Sequence, residues 1–184
     1  GAGAAPRLPF VTHSMCGILL RLYLRDHAAT NLGCVVMLAP PNAGSEVVDR
    51  LIDFPPFRWI TSVNGRRLGT GSDSLPRSLG PWRVGPEPAR GEPVESAQSA
   101  ERAGTGRLGI IAGNRSFNPL FSAWLPGPND GKVSVRSARL AGMSDFLVLP
   151  HSHTWLQWRG DTIAQTLAFL HSGRFKPVPA QAGV

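Results

Sequence analysis

The sequence predicts an α/β fold, a mostly parallel sheet with flanking helices. Three observations predict it. Cys34-Val35-Val36-Met37-Leu38-Ala39 and Phe146-Leu147-Val148-Leu149 are continuous apolar runs bounded by turn residues, the pattern of parallel strands buried on both faces. Segments with helical apolar spacing alternate with such runs, as strand–helix–strand units require. The apolar run over 8–13 stops at Ser14 and passes at once into a helical pattern, so a strand end and a helix start meet at one residue.

In chain order, 8–13 reads as a short buried strand. Residues 15–27 read as a helix whose Met15, Ile18, Leu19 and Leu22 form an apolar stripe while Arg21 and Arg25 face water. Asn31-Leu32-Gly33 turns the chain into the strand 34–39, which Pro40-Pro41-Asn42-Ala43-Gly44 ends. A short helix near 45–52 follows, then Pro55-Pro56 and a Gly/Ser/Arg-rich stretch. Residues 83–106 hold Pro, Gly, Glu, Ser and Ala with almost no large apolar side chain, and read as a mobile loop or insertion. Residues 107–113 form a third strand, 126–131 a dense turn, and 146–149 a fourth strand ended by Pro150. A final helix, about 161–172, is capped by Gly160 or Asp161 at its start and by Gly173 at its end, and puts Ile163, Leu167 and Leu170 on one face.

The 184 residues suit one domain with a real core, and 42% apolar residues is ordinary for such a chain. No run of about 18 apolar residues exists, so no transmembrane segment is expected. The opening Gly1-Ala2-Gly3-Ala4-Ala5-Pro6 has no leader pattern, and the sequence assigns no compartment. The net charge of +7 comes from 17 Arg and 2 Lys. The arginines are dispersed and not interleaved with aromatic residues, so nucleic acid is not an expected partner. Cys16 and Cys34 flank the first helix, about 20 Å apart at its two ends, and read as free thiols. No Cys/His cluster has zinc spacing, and no metal is expected.

Three polar residues follow strand ends, where open α/β sheets place ligands: Ser14 after the first strand, Asp130 after the third and His153 after the fourth. A serine held at a sharp strand-to-helix turn exposes its hydroxyl above a helix N-terminus. It becomes a nucleophile when an imidazole takes its proton, and an acid fixes that imidazole's tautomer. The backbone N–H of Met15 is a candidate oxyanion-hole donor. Competing readings exist at each position. Ser14 could be a plain helix cap and Asp130 a turn-former. Asp145 and Asp161 are rival acids, although the first precedes its strand and the second reads as a cap. His151 rivals His153. His13 reads as packing, with its side chain directed away from Ser14, and His27 and His171 read as solvated or facing helix C-termini. Trp124, Trp155 and Trp158 read as core or rim.

Four stretches together resemble the α/β-hydrolase superfamily, bacterial lipase/esterase type: Thr12-His13-Ser14-Met15; Val36-Met37-Leu38-Ala39-Pro40-Pro41-Asn42-Ala43-Gly44-Ser45; Asn129-Asp130-Gly131-Lys132-Val133-Ser134-Val135; and Ser152-His153-Thr154-Trp155. The resemblance spans about residues 8–172 apart from 83–106. It implies a catalytic triad of Ser14, Asp130 and His153, no cofactor, and a small-molecule or lipid ester as substrate. Thioester or amide hydrolysis, acyl transfer to an alcohol, and a non-catalytic hydrolase-like fragment remain alternatives. It also implies that the chain is the C-terminal half to two-thirds of such a hydrolase, one partial domain with a cap or insertion at 45–106. Phe54, Phe57, Trp59 and Trp82 could then line an acyl pocket. The His-Gly loop that gives the second oxyanion donor has no counterpart in residues 1–7. On that expectation the first strand has an unpaired edge, prone to self-association, and the chain alone is poorly active and poorly soluble. Cys16 stands where the family usually has Gly, which would overpack the turn by about 1–3 kcal/mol. Thr12 also replaces a Gly, a change that relatives of this type tolerate.

Overall fold

The computed structural model describes residues 6–27, 29–51, 67–84, 106–117 and 119–178. Strands β1 (Leu8–His13), β2 (Leu32–Leu38), β3 (Leu108–Gly113) and β4 (Asp145–Leu149) form one parallel sheet in that order. The helices are α1 (Met15–Asp26), α2 (Glu46–Leu51), α3 (Leu75–Ser78), α4 (Pro119–Trp124), α5 (Val135–Ala138) and α6 (Gly160–Ser172). A 3-10 turn over Leu156–Trp158 precedes α6. The chain therefore adopts the expected α/β architecture, and Gly173 ends α6 in the left-handed conformation.

The central strands β2 and β3 are buried on both faces. On β2, Val35 and Met37 join Leu20 and Leu24 of α1 with Leu108 and Ile110 of β3. Val36 and Leu38 point the other way, to Ile111, Leu149, Leu156 and Phe169 of α6. A strand covered on both sides needs apolar residues at every position, which is why 34–39 shows no alternation.

β1 departs from the expectation of a buried strand. Among the described residues it pairs with β2 alone, and Leu8, Phe10 and Val11 are 50%, 38% and 49% exposed. Among the described residues it is one edge of the sheet, and β4 is the other.

α6 is rotated from its expected face by about one residue, roughly 100°, whereas α1 keeps Met15, Ile18 and Leu22 of its expected stripe, packed with Leu68 and Leu75, and buries a second, neighbouring face as well. α1 buries Gly17, Ile18, Leu20, Arg21 and Leu24, and Leu19 lies outside. α6 buries Thr162, Thr166 and Phe169 and exposes Ile163 and Leu167. A glycine lies at the helix–sheet contact in each case. A Cβ on Gly17 would lie 3.2 Å from Met37 Sδ and 3.3 Å from Thr12 Oγ1, so α1 sits on the sheet through its glycine. α6 sits through Phe169, whose ring fills the space above Gly109.

Arg21 does not face water as expected. It is 5% exposed, and its guanidinium donates to Asn42 Oδ1 (3.0 Å), Pro76 O (3.0 Å) and Gly80 O (2.6 Å). Asn42 in turn donates to Ala138 O at 2.8 Å. Burial pulls the Arg21 pKa down to about 10, still charged at neutral pH. One side chain thus ties α1 to the β2 exit loop and to the segment carrying α3.

Of the aromatic residues assigned to an acyl pocket, Phe54, Phe57 and Trp59 lie outside the described residues. Trp82 packs on the α1-side core and donates its indole N–H to Gly106 O. Of the stretch read as mobile, 85–105 lies outside the described residues, whereas Val84 and Gly106 are placed, Val84 against the core.

Replacing Arg21 with Leu should leave the carbonyls of Pro76 and Gly80 unpaired in the interior. We expect a loss of about 2–4 kcal/mol of stability, read from the urea midpoint. A loss below about 0.5 kcal/mol would show that the network adds nothing to the fold.

Candidate active site

Ser14 stands between β1 and α1 with φ 55° and ψ −128°. A residue with a Cβ reaches this backbone region only under strain, of order 1–3 kcal/mol. The turn is held from both sides: Ser14 N–H donates to Leu38 O (2.8 Å), and Gly17 N–H donates to Ser14 O (3.1 Å). Ser14 makes no capping bond through its side chain to α1, so its hydroxyl is not consumed as an N-cap.

The hydroxyl instead lies 2.9 Å from His153 Nε2. His153 Nδ1 lies 2.8 Å from Asp130 Oδ2. A carboxylate oxygen only accepts, so Nδ1 carries the hydrogen and Nε2 is left free to accept from Ser14. Asp130 Oδ1 accepts the backbone N–H groups of Lys132 (2.9 Å) and Val133 (2.8 Å), which fixes the carboxylate plane. Asp130 and His153 are 3% and 4% exposed. The dry surroundings strengthen the link between them.

The two loops also meet through their backbones. His153 N–H donates to Asp130 O at 3.0 Å. Both run past Gly113, the last residue of β3, where a Cβ would overlap the His151 carbonyl and lie 2.8 Å from Asp130 Cβ. Asn129 builds the acid's turn: its Oδ1 accepts Gly131 N–H (3.0 Å) and the Ser122 hydroxyl (3.0 Å). Gly113 carries no mark of the site in the sequence, and Asn129 appears there only as the start of the stretch that carries Asp130. Asn129 sits in a recognisable Asx-turn sequence, but the role of Gly113 depends on two distant loops.

The rivals are placed elsewhere. His151 Nε2 donates to the carboxylate of Asp161 at 2.7 Å, on the outer side of the loop. Asp145 accepts Phe146 N–H and Phe175 N–H. Met15, the candidate oxyanion donor, opens α1; the first N–H groups of a helix have no intrahelical partner and point out of its end. Trp155 and Trp158 are rim residues, 56% and 71% exposed, and Trp124 is half-buried. The described residues hold no group of three or more His, Cys, Asp or Glu arranged for a metal ion.

Two expectations around the turn are corrected. Cys16 does not crowd it: Cys16 is exposed, and the residue pressed against the sheet is Gly17, one helical step further on. His13 is not directed away from the site. Its Nε2–H donates to His153 O at 3.0 Å, and the two rings lie 4.9 Å apart at 46°. Burial, and then the neighbouring His153, hold the His13 pKa below its ordinary value.

A parallel α/β sheet with Ser14, Asp130 and His153 gathered at its strand ends defines the class of fold to which the chain belongs. Among solved structures, the mature form of Bacillus licheniformis lipase BlEst2 matches with a TM-score of 0.57 at 19% identity, over 80% of this chain and 59% of that one. The propeptide form of the same lipase matches with a TM-score of 0.49 at 17% identity, over 80% of this chain and 32% of that one. Phospholipase PlaB from Legionella pneumophila matches with a TM-score of 0.41 at 19% identity, over 73% of this chain and 29% of that one. No protein-family model matches the sequence, and no curated protein does. The chain thus shares its α/β fold with mature BlEst2 and spans about 59% of the length of that lipase.

Replacing Asp130 with Asn tests the electrostatic frame. An amide can donate to Nδ1, which would shift the hydrogen to Nε2 and leave it unable to accept from Ser14. We expect the labelling rate of Ser14 by a fluorophosphonate to fall by roughly 10³–10⁴-fold. An unchanged rate would show that the Asp130–His153 bond does not control Ser14.

Proposed function

We propose that the protein is a serine hydrolase acting on carboxylic esters, lipid esters included, through an acyl-enzyme on Ser14. The observation that carries this reading is the unbroken hydrogen-bonded chain from Ser14 Oγ through His153 to Asp130, starting at a strained strand-to-helix turn. The fold shared with a lipase is consistent with it.

In this reading His153 Nε2 takes the Ser14 proton as Oγ attacks the ester carbonyl. The carbonyl oxygen becomes an oxyanion above the start of α1, where the Met15 N–H stabilises it. The imidazolium, held by Asp130, gives its proton to the departing alkoxide, leaving an acyl-Ser14. Water, deprotonated by the same imidazole, then releases the acid and restores Ser14. Asp130 keeps its negative charge throughout and stabilises the transient imidazolium.

The test is covalent. The protein should react stoichiometrically with a fluorophosphonate probe, and Ser14→Ala should lose that labelling completely. With short-chain nitrophenyl esters, Ser14→Ala should lower turnover by at least roughly 10³-fold. A folded native protein that takes up no probe, or an alanine variant that keeps its turnover, would overturn the reading. A series of esters with lengthening acyl chains then separates lipid from short-ester preference.

A further inference from the structure

We propose that His13 is a positioning residue: it clamps the main chain of His153 so that the imidazole stays within reach of the hydroxyl on the very next residue, Ser14. The inference rests on the serine-hydrolase reading and assigns a device within it.

His13 is the last residue of β1 and Ser14 the first beyond it, so the two move as a unit. The His13 Nε2–H donates to the His153 carbonyl at 3.0 Å. A carbonyl cannot donate, so the hydrogen lies on His13 Nε2. On the other side of the same residue, the His153 N–H donates to Asp130 O at 3.0 Å. The backbone of His153 is therefore held at its amide by the acid loop and at its carbonyl by β1. Its ring is held at Nδ1 by Asp130 and lies against the His13 ring at 4.9 Å.

These contacts close a loop of constraints. Ser14 Oγ meets His153 Nε2, and the residue before Ser14 meets the carbonyl of His153. A shift of His153 away from the serine would have to break the His13 bond as well. His153 lies in the segment after β4, on the far side of the sheet from β1, and no strand pairing links the two. The His13 bond supplies that missing link. Burial first, then the His153 ring beside it, and Lys132 nearby oppose a charge on His13; the bond to the His153 carbonyl and the Asp130 carboxylate favour one, and the balance lies on the neutral side. A neutral His13 also avoids placing a fixed positive charge beside the imidazolium that His153 becomes in turnover.

Two variants separate the hydrogen bond from the packing. His13→Phe keeps the ring volume and loses the donor; His13→Gln keeps a donor without the ring. We expect His13→Phe to lower kcat by about 10- to 100-fold while KM stays within about twofold, because substrate contacts are untouched. His13→Gln should recover to within about threefold of the native kcat. Equal losses in both variants would reduce His13 to packing, and a native kcat in His13→Phe would overturn the proposal outright. NMR of the unmodified protein gives a readout independent of turnover and of variant folding: the His13 Nε2–H should exchange slowly with water. A His13 ring proton that exchanges as fast as an exposed imidazole's would also overturn it. Ser14→Ala distinguishes the two levels. If it keeps full turnover, the serine reading fails; if it is dead while His13→Phe is fully active, the clamp alone fails.

Discussion

The backbone of Ser14 is the constraint on which the rest of the structure turns. Its φ of 55° is imposed by the need to end β1 and start α1 at one residue, and a side chain with a Cβ resists it. The conformation persists because its surroundings over-determine it. The Ser14 amide is fixed by Leu38 at the end of β2, and the helix that follows can lie flat on the sheet only through Gly17. β2 ends in the same manner: Ala39 has a φ of 47°, and its amide is fixed by Ile111 of β3. Each strand end is thus turned and held by the strand beside it, and β1 inherits its geometry from the centre of the sheet.

The same approach at Gly17 decides what α1 buries. Once the glycine face meets β1 and β2, Leu20 and Leu24 enter the core and Arg21 enters with them. A buried guanidinium is tolerable only when its donors are used, and the carbonyls of Pro76 and Gly80 with the side chain of Asn42 use them. The link from turn to helix rotation to arginine network is mechanical. It begins with strain at the candidate nucleophile and ends in the ordering of a segment some sixty residues later in the chain.

Much of this was legible in sequence, and the failures have one cause. Strand positions follow from local apolar runs, which need no knowledge of partners. Ser14, Asp130 and His153 stand out as polar residues after strand ends, and the resemblance of the surrounding stretches to a hydrolase family selects them over rivals such as His151. Helix faces are less legible, because apolar spacing admits two adjacent stripes, and the choice depends on which backbone can approach the sheet. On α1 the expected Met15, Ile18 and Leu22 do pack inward, but Leu19 lies outside while Leu20 and Leu24, on the next stripe, are buried beside Gly17. On α6, Thr162 and Thr166 lie inside while Leu167 lies outside, because Phe169 must reach the hollow over Gly109. Glycines carry that information, and their meaning is set by residues far away in the chain. Gly113 escaped notice and His13 was read as packing directed away from the site for the same reason: what each touches belongs to a distant loop.

The location of the site on an edge strand sharpens what its hydrogen bonds do. β1 is paired along one side, and local opening is cheapest where fewest backbone bonds must break. Ser14 sits at the end of one edge strand, while His153 follows the other edge strand, β4, and both Asp130 and His153 are buried. Two contacts cross from that free edge to the buried pair, Ser14 Oγ to His153 Nε2 and His13 Nε2 to His153 O. They act as tie-points as well as chemistry. Fraying of β1 removes Ser14 and His13 together, whereas displacement of the acid loop leaves both in place and breaks only the Asp130 bonds. Order at the end of β1 and alignment of Ser14 with His153 are therefore coupled through these two contacts.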